Sequence, residues 1–301
     1  STSSTYKISV AAAGAWASGG DVNVARRSFA SCGTQTAALM ACGNAAPSPA
    51  TKTETYNGST WTEAPSTNTG NYYTAGSGTT TAALKIAGSS PAGAGGSDDD
   101  GTVEVEEYNG TSWSEIADLA SDRWAMGSAQ QGTTTASLIF GGTAVAGASP
   151  VLAISEAYNG TSWSEVSDLN TARYGSPGAG TSTAALFISG VTTTAVANVE
   201  SYNGTSWSET GDVSTTRQNA AASGSTTAAL VFGGVDTLAT TEEFNGSTWT
   251  AVASLATGRQ GLGGAGTSPV GLAMAGYTTA NLQTTEEWSG APVTVKTVTT
   301  S

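Results

Sequence analysis

Tyr158-Asn159-Gly160-Thr161-Ser162-Trp163 is a sequence that this chain of 301 residues repeats along most of its length. Five further copies, the last of them degenerate, begin at Tyr56, Tyr108, Tyr202, Phe244 and Trp288. Counted from Tyr56, successive copies start 52, 50, 44, 42 and 44 residues apart, which is the period of a four-stranded propeller blade. Asn-Gly favours a type I′ hairpin turn, because both central residues need a positive φ. Each copy therefore predicts two antiparallel strands, c before the turn and d after it.

A second hairpin, with strands a and b, precedes each copy. Its return strand b reads Ala-Ala-Leu-Phe-Ile-Ser-Gly at residues 184–190 and recurs at 37–43, 82–88, 136–142, 228–234 and, more loosely, 270–276. Short apolar runs of this kind are typical of buried strands, and no stretch has helical periodicity. The pattern predicts an all-β chain folded as a six-bladed β-propeller. We expect one domain over residues 1–301, with an N-terminal arm (1–13) and a strand-like C-terminal tail (293–301).

The ends of the chain decide how the ring closes. There are six sets of strands a, b and c but seven candidate d strands, counting those around Trp16 and Val293. An open ring would leave an exposed strand edge, which proteins avoid. We expect the segment around Trp16 to complete the last blade, because Pro292 beside Val293 removes a ladder donor. Residues 293–301 alternate like a strand and are expected to pair with residues 6–10 or to dock on a neighbouring subunit.

The composition excludes several functions. The chain has 23 acidic and 10 basic residues, a net charge of −13, no histidine and two cysteines. Nucleic-acid binding needs clustered Lys and Arg, so it is not expected. Histidine-dependent catalytic pairs and metal sites are impossible. No apolar stretch is long enough to span a membrane, and no secretion leader is recognisable. We expect no cofactor and no metal.

The repeat resembles kelch repeats, the galactose-oxidase-like β-propellers. The resemblance rests on a Gly-Gly doublet closing strand b, an aromatic residue on c, a Trp on d and an Arg opening the next strand a, clearest as Gly233-Gly234, Phe244, Trp249 and Arg259. The Asn-Gly-Thr-Ser-Trp hairpins and the abundance of Thr, Ala and Gly resemble kelch-like virion proteins of marine tailed bacteriophages. The copper chemistry of galactose oxidase is excluded here, because its site needs histidines.

The candidate binding residues lie between strand d and the next strand a. Ten residues after each of six Trp residues lies a position that is Arg in five repeats and Asn in one. These arginine positions are Arg26, Asn71, Arg123, Arg173, Arg217 and Arg259. The kelch resemblance implies that these turns share one face with the b-to-c loops. The candidate ligand-binding residues are Arg26, Arg27, Tyr72, Trp124, Tyr174, Gln218 and Gln260, a planar or amide-bearing group suited to sugars or carboxylates. The alternative is structural, with each Arg pairing with the Asp five residues before it or with a loop carbonyl.

The acidic residues concentrate on strands c and d, where we expect them to solvate exposed strand faces. A carboxylate pair for glycoside hydrolysis is an open alternative, since the sequence does not reveal the separation of the carboxylates. Ser97-Asp98-Asp99-Asp100-Gly101 could hold Ca²⁺ through oxygen ligands. It lacks the spaced ligands of a calcium loop, so a solvated loop tip is the preferred interpretation.

The expected function is therefore binding and not catalysis. The sequence favours a non-enzymatic structural or binding module of a tailed-phage virion, a fibre, appendage or decoration protein, localised to the virion. Its expected partners are a host-surface glycan or receptor, or other virion proteins, with a homo-oligomer possible and no membrane insertion. The alternatives are a secreted or cell-surface bacterial kelch lectin that binds carbohydrate, and a glycan-cleaving enzyme with an acid pair at the channel mouth.

Overall fold

The computed structural model describes residues 4–11, 14–46, 50–89, 100–144, 150–290 and 293–300. Within these ranges the chain forms 26 β-strands and no helix, so the described residues include no helix that could cross a membrane. Six four-stranded antiparallel sheets account for 24 of the strands. The prediction of an all-β, six-bladed propeller is confirmed.

The strands follow the predicted order a, b, c, d within each blade. Two strands precede the first complete blade, β1 (Ser4–Ala11) and β2 (Ala15–Ser18). Blade 1 consists of β3 (Ala30–Thr34), β4 (Ala37–Ala41), β5 (Thr53–Tyr56) and β6 (Trp61–Ala64). Blade 2 consists of β7 (Ala75–Gly78), β8 (Ala83–Ile86), β9 (Val105–Tyr108) and β10 (Trp113–Glu115). Blade 3 consists of β11 (Gly127–Ser128), β12 (Ser137–Phe140), β13 (Ser155–Tyr158) and β14 (Trp163–Val166).

The remaining blades repeat the plan. Blade 4 consists of β15 (Gly178–Thr181), β16 (Ala184–Ile188), β17 (Val199–Tyr202) and β18 (Trp207–Glu209). Blade 5 consists of β19 (Ala221–Ser225), β20 (Ala228–Phe232), β21 (Thr241–Phe244) and β22 (Trp249–Val252). Blade 6 contains β23 (Gly263–Gly266), β24 (Val270–Met274) and β25 (Thr285–Ser289), and the last strand is β26 (Val293–Thr300). Contacts between a strands of successive blades place these strands around a central channel.

The N-terminal segment closes the ring, as the sequence predicts. Strand β2 is the fourth strand of blade 6 and pairs antiparallel with β25, with Trp16 opposite Trp288. Strands β1 and β26 form a separate two-stranded ribbon in which Ser4 lies opposite Thr300. The C-terminal tail thus pairs with the N-terminal arm, one of the two arrangements expected for it.

The Asn-Gly turns join strands c and d as predicted, but they are not type I′ turns. Four residues separate the paired Tyr56 and Trp61, and only Gly58 of the Asn-Gly pair has a positive φ, at 90°. The Asn57 side chain instead accepts hydrogen bonds from the backbone N–H groups of Ser59 and Thr60, at 3.0 and 2.9 Å. Asn is therefore selected for its short side-chain acceptor, as in an Asx turn, and Gly for its left-handed φ.

Tryptophans of strand d join neighbouring blades. The indole Nε1–H of Trp61 in blade 1 donates to Thr285 Oγ1 in blade 6 at 3.1 Å. Trp113, Trp207 and Trp16 make the same bond to Thr53, Ser155 and Thr241 of the preceding blade, at 3.1, 3.1 and 3.0 Å. In each case the acceptor is the first residue of strand c. These bonds and the apolar clusters between blades hold the ring together in a chain that is poor in large apolar residues.

Candidate functional site

The five arginines at the arginine positions are structural. All five side chains are completely buried, and each forms an ion pair with a glutamate on strand c of its own blade. The pairs and their distances are Arg26–Glu54 2.6 Å, Arg123–Glu156 2.5 Å, Arg173–Glu200 3.2 Å, Arg217–Glu242 3.0 Å and Arg259–Glu286 3.0 Å. Arg26 also donates to the carbonyls of Cys42 and Lys52. Arg26 was wrongly included among the predicted ligand-binding residues, because its side chain is buried and its donors are used inside the fold.

Each of these glutamates also holds the connection that enters its blade. Glu54 accepts hydrogen bonds from the backbone N–H groups of Asn23 and Val24, at 2.6 and 3.2 Å, and Glu200 does the same for Asn170 and Thr171. The expected Asp partners are not used, and Asp21 is exposed. Two further expectations are corrected here. The arginines pair with Glu and not with Asp, although the carbonyl contacts that the structural alternative also named are present for Arg26, Arg123 and Arg217. Six of the strand-c glutamates are buried instead of solvating exposed strand faces.

Blade 2 carries the same charge pair with a different cation. Asn71 occupies its arginine position, and Lys85 on strand b supplies the positive charge, with Nζ 3.4 Å from Glu106 Oε1. Both side chains are almost completely buried. Glu106 still accepts from the backbone N–H groups of Asn68 and Thr69. The buried pair is therefore retained in every blade, although its cation comes from strand b in blade 2 and from the connection before strand a in the others.

Burial and pairing act in opposite directions on these ionisable groups. Desolvation lowers the pKa of Arg217, and the neighbouring Glu242 partly restores it. Burial acts to raise the pKa of Glu242, but hydrogen bonds from Ser214 and Arg217, together with the charge of Arg217, outweigh it and leave the pKa lowered. Both groups are therefore charged at neutral pH, and their attraction is exerted where water does not screen it.

The residues that follow the arginine positions form the rim of one face. These rim residues are Arg27, Tyr72, Trp124, Tyr174, Gln218 and Gln260. Five of them form antiparallel bridges with the b-to-c loop of the same blade, namely Arg27–Asn44, Tyr72–Ser89, Trp124–Thr143, Tyr174–Val191 and Gln260–Tyr277. Gln218 accepts a backbone hydrogen bond from Val235 in the equivalent place. The d-to-a turns and the b-to-c loops therefore share one face, here called the loop face, as the kelch resemblance implies.

Four aromatic side chains form a continuous row along blades 2 to 4 on the loop face. Ring centroids lie 5.8 Å apart for Tyr72–Tyr73, 5.1 Å for Tyr73–Trp124 and 6.3 Å for Trp124–Tyr174. The tyrosines are half-buried, whereas Trp124 is only 8% exposed. Trp124 therefore packs against Tyr73 and Tyr174 and does not itself offer an open stacking surface. This modifies its predicted role.

The opposite half of the loop face is polar. The Arg27 guanidinium carbon lies 4.1 Å from the centroid of the Tyr277 ring, a cation–π contact. Gln218, Gln260 and Asn219 are half-buried nearby along the ring of blades. The sequence therefore predicted six rim positions correctly as a shared surface, and the structure divides them into an aromatic side and a guanidinium-and-amide side.

The residue after each rim residue, just before strand a, takes part in a closed circle of backbone hydrogen bonds. The ring residues are Ser28, Tyr73, Ala125, Gly175, Asn219 and Gly261, and all have φ between 52° and 63°. Each N–H donates to the C=O of the ring residue in the preceding blade, from Tyr73 to Ser28 at 2.7 Å round to Ser28 to Gly261 at 2.7 Å. The sequence analysis missed this circle. Two glycines and one asparagine at these positions were the available indication of left-handed backbone.

Beneath the ring residues lies a cavity of about 100 Å³ in the central channel. Its walls include the next residue of each blade, the collar residues Phe29, Thr74, Met126, Ser176, Ala220 and Leu262, and reach down to Gln130. Leu138 comes 15 positions after Arg123 in blade 3, whereas the equivalent Leu186 comes 13 positions after Arg173 in blade 4. Blade 3 therefore has two extra residues in its a-to-b hairpin, where Gln130 and Gln131 lie. The Gln131 amide donates to the Gly266 carbonyl of the opposite blade at 3.1 Å. The insertion therefore crosses the channel at its far end.

No cluster suited to a metal ion occurs among the residues that the structure describes. Residues 97–99 of the candidate calcium loop lie outside the described residues. Both cysteines are buried and free, and burial raises the pKa of the Cys32 thiol to about 12.

Comparison with known proteins supports the fold. No protein-family model matches the chain, and no curated protein matches it. Among solved structures, the structure of YjhT is similar to this chain with a TM-score of 0.70 and 12% sequence identity, covering 94% of this chain and 99% of YjhT. At this level of identity the similarity extends to the propeller fold alone.

Proposed function

We propose that this chain is a non-enzymatic binding module of a tailed-phage virion, a fibre, appendage or decoration protein of the kelch-repeat type. It contacts a host-surface glycan through its loop face. The observation that carries the proposal is the divided loop face, with the half-buried Tyr72, Tyr73 and Tyr174 on one side and Arg27, Gln218 and Gln260 on the other. Aromatic rings provide large, rigid contact area, and a few convergent polar groups orient a ligand. The two halves together suit the apolar faces and the hydroxyl groups of a sugar.

The placement of the carboxylates supports binding over hydrolysis. Glycoside hydrolysis needs two carboxyl groups on either side of one bond, roughly 5 to 9.5 Å apart. The six buried glutamates of strand c lie in six different blades, and each is held by a cation in its own blade. Their lone pairs also accept backbone N–H groups of the entering connection. These acids brace the blades and are not presented to a substrate.

The experiment is a glycan array and a host-cell binding assay with the purified chain. We expect the double variant Tyr72→Ala/Tyr174→Ala to bind roughly 5- to 150-fold more weakly, because each stacking aromatic contributes about 0.5–1.5 kcal/mol beyond its area. Val270→Ala is the matched control, since Val270 is exposed on an a-to-b hairpin at the opposite face. Binding that is unchanged in the double variant, or a wild-type chain that binds no glycan, would contradict the proposal. Released sugar products would indicate an enzyme.

Antibody labelling tests the virion assignment separately. Labelling of purified phage particles is expected. Label found on bacterial surfaces or in the medium, without particles, would instead favour the secreted or surface lectin.

A further inference from the structure

Arg27 differs from the other basic residues of the six blades, because no described residue gives it an acidic partner. The other seven form ion pairs with glutamates, five of them as the buried arginines and two as Lys85 with Glu106 and Lys52 with Glu63. The Arg27 side chain is half-buried on the loop face, and its N–H groups donate to no residue that the structure describes. An arginine with unused donors in a chain of 23 acidic residues is available to an anion from outside the fold.

The Tyr277 ring holds the Arg27 guanidinium without using any of its donors. The guanidinium carbon lies 4.1 Å from the ring centroid, a distance at which the attraction acts through the face of the ring. Tyr277 is itself fixed, because it exchanges backbone hydrogen bonds of 3.1 and 2.8 Å with Gln260. A side chain that is already ordered loses less conformational freedom when it binds a ligand. Arg27 is therefore pre-organised, and the N–H donors of its guanidinium are still available.

The neighbours of Arg27 on the loop face are polar but uncharged. Gln260 and Tyr72 are the rim residues of the two adjacent blades, and Asn44 and Tyr277 form the backbone bridges to Arg27 and Gln260. The strand-c glutamates of blades 6, 1 and 2 are almost completely buried, and each is paired with a cation of its own blade. The negative net charge of the chain is therefore not concentrated beside this guanidinium, so an anion can approach it.

Two features of this site favour a carboxylate that is carried by a sugar. The planar guanidinium fork of an arginine matches the two oxygens of a carboxylate, which it binds with two parallel hydrogen bonds. Blades 1 and 2 are joined directly where the Tyr73 N–H donates to the Ser28 carbonyl at 2.7 Å, so the preceding residues, Arg27 and Tyr72, are neighbours on the rim. A sugar acid combines a carboxylate for the first with an apolar ring face for the second.

We propose, on the basis of the glycan-binding function above, that the loop face recognises an acidic saccharide whose carboxylate binds bidentately to Arg27. The ring of this sugar packs against Tyr72, and the following sugars contact the rest of the aromatic row. The ligand class is a glycan that contains a hexuronic acid or another carboxylated sugar. The same glycan without the negative charge lacks the principal contact and binds more weakly.

The test compares oligogalacturonate with its methyl ester, since the two share their rings and linkages and differ in the charge of the carboxyl groups. Titration calorimetry should show that wild type binds the acid more tightly than the ester, and that Arg27→Gln binds the acid roughly 10- to 150-fold more weakly than wild type does, as for lost hydrogen bonds to a charged group. Arg27→Lys should lose part of the affinity, because a point charge replaces the bidentate fork. Lys52→Gln is the matched control, because it removes the same charge from the pair with Glu63, and it should bind as wild type does.

A second set of measurements separates a binding role of Arg27 from a structural one. Tyr277→Leu keeps the arginine but removes the ring that orients it, so this variant should bind the acid more weakly and the ester as wild type does. Higher salt should weaken the binding of the acid to wild type and have a smaller effect on Arg27→Gln. The melting temperature of Arg27→Gln should be close to that of wild type, because this guanidinium has no acidic partner among the described residues.

The outcomes separate this inference from the proposed function. A wild-type chain that binds the methyl ester as tightly as the acid, or an Arg27→Gln variant that retains the full affinity for the acid, would overturn acidic recognition and leave the glycan-binding module intact. On the glycan array, carboxylated members should be preferred, and binding confined to neutral or sulfated members would overturn the inference in the same way. A wild-type chain that binds no glycan would overturn both.

Discussion

The indole N–H groups of Trp163 and Trp249 show how single residues tune the blade interfaces. Both are buried and lack a hydrogen-bond partner among the described residues, although the other four strand-d tryptophans donate to a Thr or Ser of the preceding blade. The equivalent residues facing Trp163 and Trp249 are Val105 and Val199, which share their apolar clusters. An unsatisfied buried N–H costs about 1–3 kcal/mol. We therefore expect the interfaces between blades 2 and 3 and between blades 4 and 5 to be less stable than the four interfaces that have this hydrogen bond.

We predict that Val105→Thr stabilises the protein by about 0.5–1.5 kcal/mol, because it supplies the missing acceptor for Trp163. The reverse change, Thr285→Val, should destabilise it by about 1–3 kcal/mol, because it removes the acceptor of Trp61. Urea unfolding of both variants measures the difference. A loss of stability in Val105→Thr would show that the hydroxyl does not reach the indole.

Stability should also depend on pH through Glu242, whose pKa is lowered from 4.5 in the folded protein. A carboxyl with a depressed folded pKa contributes stability above its unfolded pKa and loses it as the pH falls through the folded value. We therefore expect Glu242 to contribute fully at pH 7 and progressively less below about pH 4.5.

The measurement is urea unfolding at pH 7 and pH 3 for wild type, Glu242→Gln and the exposed control Glu165→Gln. Glu242→Gln should be about 3–5 kcal/mol less stable at pH 7, because Arg217 remains buried without a counter-charge, and should lose less on acidification. An equal loss of stability between the two pH values in Glu242→Gln and wild type would contradict this role.

At the scale of the element, blade 2 shows that one blade can replace its buried cation without changing its fold. Lys85 on strand b lies opposite Glu106 on strand c. The equivalent pair in blade 1 is Met40 on strand b and Glu54 on strand c. In blade 1 the cation is Arg26, which lies in the connection before strand a and pairs with Glu54. The equivalent residue in blade 2 is Asn71, which carries no charge. The cation can therefore reach the glutamate either from the connection before strand a or from strand b, and every blade has one of the two.

We predict that Lys85→Met destabilises the protein by about 3–5 kcal/mol, because Glu106 is left buried without a cation. Adding Asn71→Arg to this variant reproduces the arrangement of blade 1 and should recover most of the loss. Thermal unfolding of the single and double variants measures the recovery. A double variant no more stable than Lys85→Met would show that the two blades are not interchangeable at this site.

At the scale of the whole molecule, stability depends on ring closure, and closure depends on one short strand. Strand β2 completes blade 6 through its pairing with β25, and Trp16 bonds to Thr241 of blade 5. The β1–β26 ribbon is a separate sheet outside the six blades. The two ends of the chain therefore contribute unequally to the propeller.

We predict that deletion of residues 1–18 abolishes cooperative unfolding, because it exposes the edge of β25 and removes an interface between blades. Truncation after Gly290 should lower the melting temperature by only a few degrees, because it removes only the partner of β1 and leaves the six sheets complete. Calorimetry of the two truncated chains distinguishes them. The reverse order of stability would mean that the tail, and not β2, maintains the ring.

The number of blades, the order of strands within each blade and the closure by the segment around Trp16 were predictable from the amino-acid sequence. These follow from local patterns, since the Asn-Gly hairpin, the apolar strand b and the spacing from Trp to Arg all lie within one repeat. The six rim positions were identified from the same spacing, whereas their common face was implied by the kelch resemblance. The turn type was not predictable from the sequence. Asn-Gly occurs both in type I′ turns, where Asn has a positive φ, and in turns where the Asn side chain accepts backbone hydrogen bonds.

Which charges are buried, and which residues line the channel, became visible only in the folded molecule. Arg26 and Glu54 are 28 residues apart, and Gln131 and Gly266 are 135 residues apart, so no local pattern connects them. Acidic residues on a strand are usually solvated, and only packing between blades shows that six of them are enclosed with a cation. The circle of backbone hydrogen bonds requires all six blades at once, because each ring residue donates to its neighbour and the last one completes the ring.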